Sequence, residues 1–177
     1  MEQTLFINGK IILQDRILEQ GSLLAADGRI KEIRDSTGEK SSCRVVDLQG
    51  NYLAPGFVDI HVHGGGGGDF MDGERDSWDQ ALRTHLRHGT TSLCPTTLTA
   101  SPGEMERVFA LYRELEREES RCLPRLLGVH MEGPYIAESM KGAQNADFIK
   151  RPERELTEWL LEKGAGALRI LTMAPEL

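Results

Sequence analysis

Apolar residues in the first 54 positions come in short runs separated by turn formers. TLFI (4–7) leads into Asn8-Gly9 and then KIIL (10–13), a pattern that predicts a hairpin. SLLAA (22–26), Asp27-Gly28 and RIKEI (29–33) predict a second one. In that last run Ile30 and Ile33 stand three apart, which breaks the period of two that a regular strand requires and leaves its register open. RVVDL (44–48), Gly50 and YLAP (52–55) complete the region. Residues 1–54 thus read as a small antiparallel sheet layer. A layer this thin needs partners for its apolar faces.

The rhythm changes at Pro55-Gly56. FVDIHV (57–62) reads as a mainly apolar, buried strand, and Trp78, Ala81, Leu82, His85 and Leu86 give residues 77–88 the spacing of a helix. TTSLCPT (90–96) is the next strand. Ser101-Pro102-Gly103-Glu104 then has the form of a capping box with proline in the first turn. The helix it opens would bury Met105, Val108, Phe109, Tyr112 and Leu115. RLLGVHM (125–131), a helix opened by Pro152 and carrying Leu156, Trp159 and Leu160, and ALRILTM (167–173) complete the chain. Alternating strand and helix predicts a parallel sheet over residues 55–177. Four such strands are too few to close an eight-stranded barrel, so the expected fold is α/β, the first half of a TIM-like barrel. A three-layer open sheet is the alternative, but no dinucleotide-binding fingerprint lies between a strand and its helix.

Composition narrows the function classes. Apolar residues make up 39% and charged residues 28% of the 177, as in a globular protein. A net charge of -7 argues against nucleic acid or an anionic membrane as partner. No apolar run is long enough to span a bilayer. The acidic start MEQTLFINGKIIL does not resemble a secretory leader, so a cytoplasmic protein is expected. Cys43, Cys94 and Cys122 are widely spaced with no CxxC pair, which speaks for reduced thiols and against a thiolate zinc site.

The chemistry-bearing residues lie at strand ends. His61 and His63 are two apart and so share one side of their strand, where both imidazoles can face one metal ion. Ordinary packing would also explain such a pair. Asp59 shares that side. Glu132 ends the strand LLGVHM just before Gly133-Pro134, where a carboxylate can hold a metal or simply face solvent. His130 shares its direction and could touch substrate or support a metal shell. The glycines 64–68 allow either a close backbone approach to a ligand or a mobile loop, with Asp69 and Phe70 anchoring the chain just beyond them. They are not a phosphate loop, because the Gly-Lys-Ser/Thr ending is absent. His85 reads as a packed histidine, and the threonines at 90, 91, 96 and 97 as structural. Lys141 to Asn145 form a polar loop whose Gln144 amide could orient an acetamido group or a sugar hydroxyl.

Three ordered motifs carry a family resemblance. LAPGFVDIHVHG (53–64) resembles the first barrel strand of the amidohydrolase superfamily, while HGTTSLCPTTLT (88–99) and GVHMEGPYIAESMKGAQN (128–145) look like the N-acetylglucosamine-6-phosphate deacetylases. The likeness runs along essentially the whole chain. It implies the N-terminal part of a small β-sandwich domain (1–54) and then the first half of a metal-dependent hydrolase barrel (55–177). It implies Glu132 as a ligand of the main metal ion, His61 and His63 as ligands of a second ion, and zinc or iron as one or two divalent ions. Ala143 and Gln144 match a substrate-contacting loop that often ends in histidine, so glutamine is a departure. The implied reaction is removal of an acetyl group from an amino-sugar phosphate by metal-activated water, in a homodimeric enzyme. The general-base aspartate and the remaining ligands are expected beyond residue 177, and this chain alone is expected to be inactive. A cyclic-amide hydrolase of the dihydroorotase or hydantoinase type, and a catalytically silent binding module, are the competing readings.

Overall fold

The strand β1 (Gln3–Ile12) runs straight through Asn8-Gly9, so the first expected hairpin is not formed. Asn8 adopts the left-handed conformation (φ 56) and the register against the next strand shifts between Phe6 and Gly9, which makes the pair a bulge. Asn-Gly suits a bulge as well as a turn, because both need positive φ. Packing decides between them here: the Leu48 side chain lies where a Cβ on residue 9 would stand. The computed structural model describes residues 3–36, 43–118 and 122–177. They divide into two compact units, which meet in sequence at Pro55 and Gly56.

In the first unit β1 pairs antiparallel with β2 (Ile17–Ala26), which pairs antiparallel with β3 (Arg29–Arg34). β4 (Arg44–Asp47) and β5 (Tyr52–Leu53) both pair parallel with β1, so the sheet is mixed rather than antiparallel. The bulge is where β1 passes from one parallel partner to the other. Leu48 N donates to Ile7 O (2.9 Å), Gly50 N to Asn8 O (2.7 Å) and Lys10 N to Asn51 O (3.0 Å). The β2–β3 hairpin forms as expected, with Asp27 (φ 51) and Gly28 (φ 70) both left-handed. A second bulge explains the irregular isoleucines. Leu24 pairs with Glu32 but Ala25 with Ile30, so Lys31 is the extra residue and Ile30 and Ile33 line the same depression with Phe6, Ile11, Leu23 and Leu53. The core of this unit is small, built on Ile11, Leu18 and Leu23.

The second unit is the β/α half. β6 (Phe57–Val62), β9 (Thr90–Thr97), β11 (Val129–Glu132) and β12 (Leu168–Thr172) lie side by side in chain order, all parallel. The crossovers carry α1 (Arg75–Arg87), α2 (Pro102–Glu116) and α3 (Arg154–Lys163). Strand order without reversal is the winding of a barrel wall, whereas an open doubly wound sheet needs a switch point. RLLGVHM is broken into β10 (Arg125–Leu126) and β11. Gly128 stands at the break with φ 135, where a Cβ would collide with the Arg169 side chain.

Helix faces match their spacing. Ser101 and Glu104 form the expected reciprocal cap of α2, which buries Met105, Val108, Phe109, Tyr112 and Leu115. Trp78 is fully buried, donates from Nε1 to Phe70 O (3.0 Å) and meets the Phe70 ring edge to face. Two further expectations need correction. The glycine run is not a loose loop: β7 (Gly64–Gly65) and β8 (Gly68–Asp69) form a hairpin against α1, where a Cβ on residue 68 would strike the Ser77 carbonyl. And β6 is not a buried strand, for Phe57 is 69% and Ile60 55% exposed. Among the described residues it pairs on one side only, with β9. No helix among the described residues is long and apolar enough to cross a membrane.

Candidate metal centre

Two short tethers hold the carboxyl end of β6. Val62 N donates to Thr96 Oγ1 on β9 (2.9 Å), and the Asp59 carboxylate accepts the His61 amide (3.0 Å). The β7–β8 hairpin fixes the next residue, since Phe70 N donates to His63 O (2.8 Å). His61 and His63 therefore emerge on one side, with ring centroids 5.3 Å apart in an edge arrangement. β11 delivers Glu132 to the same place from two strands away. Its main chain is held by the Thr99 hydroxyl, which donates to Glu132 O (3.1 Å), and by pairing with Thr172.

The side chains converge. Nε2 of His61 lies 3.5 Å and Nε2 of His63 lies 3.2 Å from Oε2 of Glu132. One ligand atom from each of the three falls within 4.8 Å of the others. Two ligands held about 2.1 Å from a tetrahedral ion stand about 3.4 Å apart, so the spacing of each histidine from Glu132 fits a shared divalent ion. The donor set fits too, because neutral imidazole and carboxylate present lone pairs that such an ion satisfies. Partial exposure leaves room for further ligands. Cys94, in the adjacent strand, is buried, and burial followed by the nearby Asp59 charge pushes its thiol up. That disfavours the thiolate a metal would need.

His130 is not positioned as a ligand. It is buried, with Nδ1 2.6 Å from Ile60 O and Nε2 2.7 Å from Thr172 Oγ1. A carbonyl only accepts, so the ring proton sits on Nδ1. The imidazole thereby joins β6, β11 and β12, and its centroid lies 4.7 Å from that of His61. Neither partner was legible in the sequence, because both lie on other strands.

The loop after Glu132 is pinned by Gln144. Its side chain is buried and Oε1 accepts the Thr99 amide (2.6 Å), while Lys141 Nζ donates to Gln144 O (3.1 Å). Ala143 beside it is exposed. Thr99 thus serves Glu132 with its hydroxyl and Gln144 with its amide. Sequence reading passed it over, because a hydroxyl residue beyond a threonine-rich strand carries no mark of its partners. His85 is packed as expected, donating from Nε2 to Gly64 O (3.0 Å).

Residues 52–177 match the model of the Amidohydrolase family. The chain is 30% identical over 169 residues to N-acetylglucosamine-6-phosphate deacetylase of Bacillus subtilis (strain 168), covering 94% of this chain and 43% of that protein. It is 30% identical over 172 residues to N-acetylgalactosamine-6-phosphate deacetylase of Escherichia coli O157:H7, with the same 94% and 43% coverage. Among solved structures it is similar to N-acetyl-D-glucosamine-6-phosphate deacetylase from Mycobacterium smegmatis in complex with N-acetyl-D-glucosamine-6-phosphate. The TM-score is 0.82 at 27% identity, over 99% of this chain and 44% of that one. The chain therefore spans less than half the length of each of these proteins.

Proposed function

We infer the function from one premise: this chain belongs to the amidohydrolase family. We propose that the protein carrying it hydrolyses N-acetylglucosamine 6-phosphate to glucosamine 6-phosphate and acetate. The observation that carries this reading is the convergence of His61, His63 and Glu132 at the carboxyl ends of parallel strands. The names of the relatives supply the substrate class.

In this reading His61, His63 and Glu132 hold a divalent ion, zinc or iron, as one of one or two such ions. A bound ion of this kind polarises a carbonyl oxygen and lowers the pKa of water. Ala143, an exposed residue, meets the acetamido sugar through its backbone. Gln144 meets it through the side-chain amide nitrogen, its oxygen staying on Thr99. Proton transfer falls to an aspartate beyond residue 177. The first unit belongs to a small β-sandwich domain, and the whole protein is a cytoplasmic homodimer. A second reading, the galactosamine epimer as substrate, is favoured by the name of the Escherichia coli relative.

The test is acetate release by the full natural gene product, purified with zinc or iron, from both N-acetylhexosamine 6-phosphates, with dihydroorotate as a competing substrate. Faster turnover of the glucosamine epimer is expected. Preference for the galactosamine epimer moves the assignment to the second reading, and preference for the cyclic amide rejects both. The 177-residue chain alone is expected to release no acetate.

A further inference from the structure

We propose that His130 is a positioning residue for His61, acting through the hydrogen bond from its Nδ1 to the Ile60 carbonyl. The inference rests on reading His61, His63 and Glu132 as a cation site. Three observations carry it. Ile60 immediately precedes His61, so a bond to its carbonyl (2.6 Å) fixes the peptide plane from which the His61 side chain springs. The His130 ring also lies against the His61 ring, 4.7 Å between centroids and tilted by 58°. Finally, among the described residues β6 pairs only with β9, and its register there slips between Asp59 and Val62, leaving no ladder pairing at residues 60 and 61. Asp59 holds the amide of the Ile60-His61 peptide from within β6 and Thr96 holds Val62 to β9, whereas the His130 bond sets the peptide against β11, which carries Glu132. His130 ties β6 and β11 directly, two residues before Glu132.

The other side of the ring makes a separable contact. Nε2 meets Thr172 Oγ1 on β12 (2.7 Å), and β12 is already paired to β11 along its length. That bond adds little to what the ladder holds. The two ring nitrogens thus have different tasks: Nδ1 orients a ligand and Nε2 is anchored in a wall that stands without it. Isosteric substitution distinguishes them. The asparagine amide reaches the place of Nδ1 and the glutamine amide that of Nε2, so His130→Asn keeps the bond to Ile60 while His130→Gln keeps the bond to Thr172.

The measurement is zinc affinity of the full natural gene product by competition with a chromophoric chelator. It is paired with the visible absorption of the cobalt-substituted protein and with the thermal midpoint. His130→Asn and Thr172→Val are expected to bind zinc within about threefold of the unsubstituted protein. His130→Gln is expected to bind about 10–100-fold more weakly, the usual cost of losing a partner that orients a ligand, with an altered cobalt spectrum. A role in stability alone predicts equal affinities and a difference only in midpoint, and that result overturns the proposal. A tenfold loss in either His130→Asn or Thr172→Val overturns it as well, whether or not the glutamine protein folds. Failure of the unsubstituted protein to bind zinc or cobalt ends the cation reading itself. Binding with asparagine and glutamine behaving alike removes only the role given to His130.

Discussion

Nε2 of His63 stands 3.2 Å from Oε2 of Glu132, although His63 comes just after the first strand of the β/α unit and Glu132 closes the third. Parallel strands laid in chain order bring their carboxyl ends to one rim. Residues remote in sequence meet there without any long side chain having to reach.

Glu132→Gln tests the centre directly. The substitution keeps shape and hydrogen bonding but removes the anionic donor. Zinc affinity of the full gene product should fall by more than about 100-fold, beyond the range for partners that act indirectly. Metal analysis after gel filtration checks it, and acetate release should disappear with the metal.

Gln144 should matter for folding before it matters for substrate. Gln144→Leu leaves the buried Thr99 amide without its acceptor, at a cost of about 1–3 kcal/mol. Gln144→Glu keeps an acceptor and should lose less. Urea unfolding gives the energies, and faster hydrogen exchange at the Thr99 amide would locate the damage.

The cap of α2 predicts a pH dependence with a definite sign. The Ser101 hydroxyl, and then its backbone amide, hold the Glu104 carboxyl below the ordinary glutamate range. The folded value is thus depressed. This contribution is present above the ordinary glutamate value and is lost as pH falls through the folded one. Ser101→Ala should cost about 1 kcal/mol near neutrality, a fall of about 2–4 °C in midpoint for a chain this size. The difference from the unsubstituted protein should shrink on acidification, as thermal scans across that window will report.

The exposed apolar edge of β6 should make the 177-residue chain associate. Phe57, Val58 and Ile60 are exposed, and among the described residues no strand pairs with the other side of β6. Sedimentation velocity should show concentration-dependent oligomers, reduced by Val58→Lys. A monomer at all concentrations would contradict this.

Much of this architecture could be read along the chain because its causes are local. The threefold and fourfold spacing from Met105 to Leu115, and the serine and glutamate ahead of it, describe α2 whatever surrounds it. Asp27-Gly28 turns the chain because both residues accept positive φ. The same reasoning failed at Asn8-Gly9, where the local preference was met by a bulge instead. Leu48 and the parallel partners of β1, all distant in sequence, made that choice. The glycine run likewise states only that backbone must come close to something. Packing alone makes α1 that neighbour.

By itself the sequence determined which residues are able to bind an ion and that His61 and His63 must point the same way, because side-chain direction along a strand is set by backbone geometry within a few bonds. Only the tertiary structure decided that Glu132 completes their set, that both nitrogens of His130 are spent on other strands, and that Gln144 answers to Thr99. Those relations depend on strand order and register. They are fixed by the sum of many burial and pairing energies across the unit, and no single stretch of chain contains them.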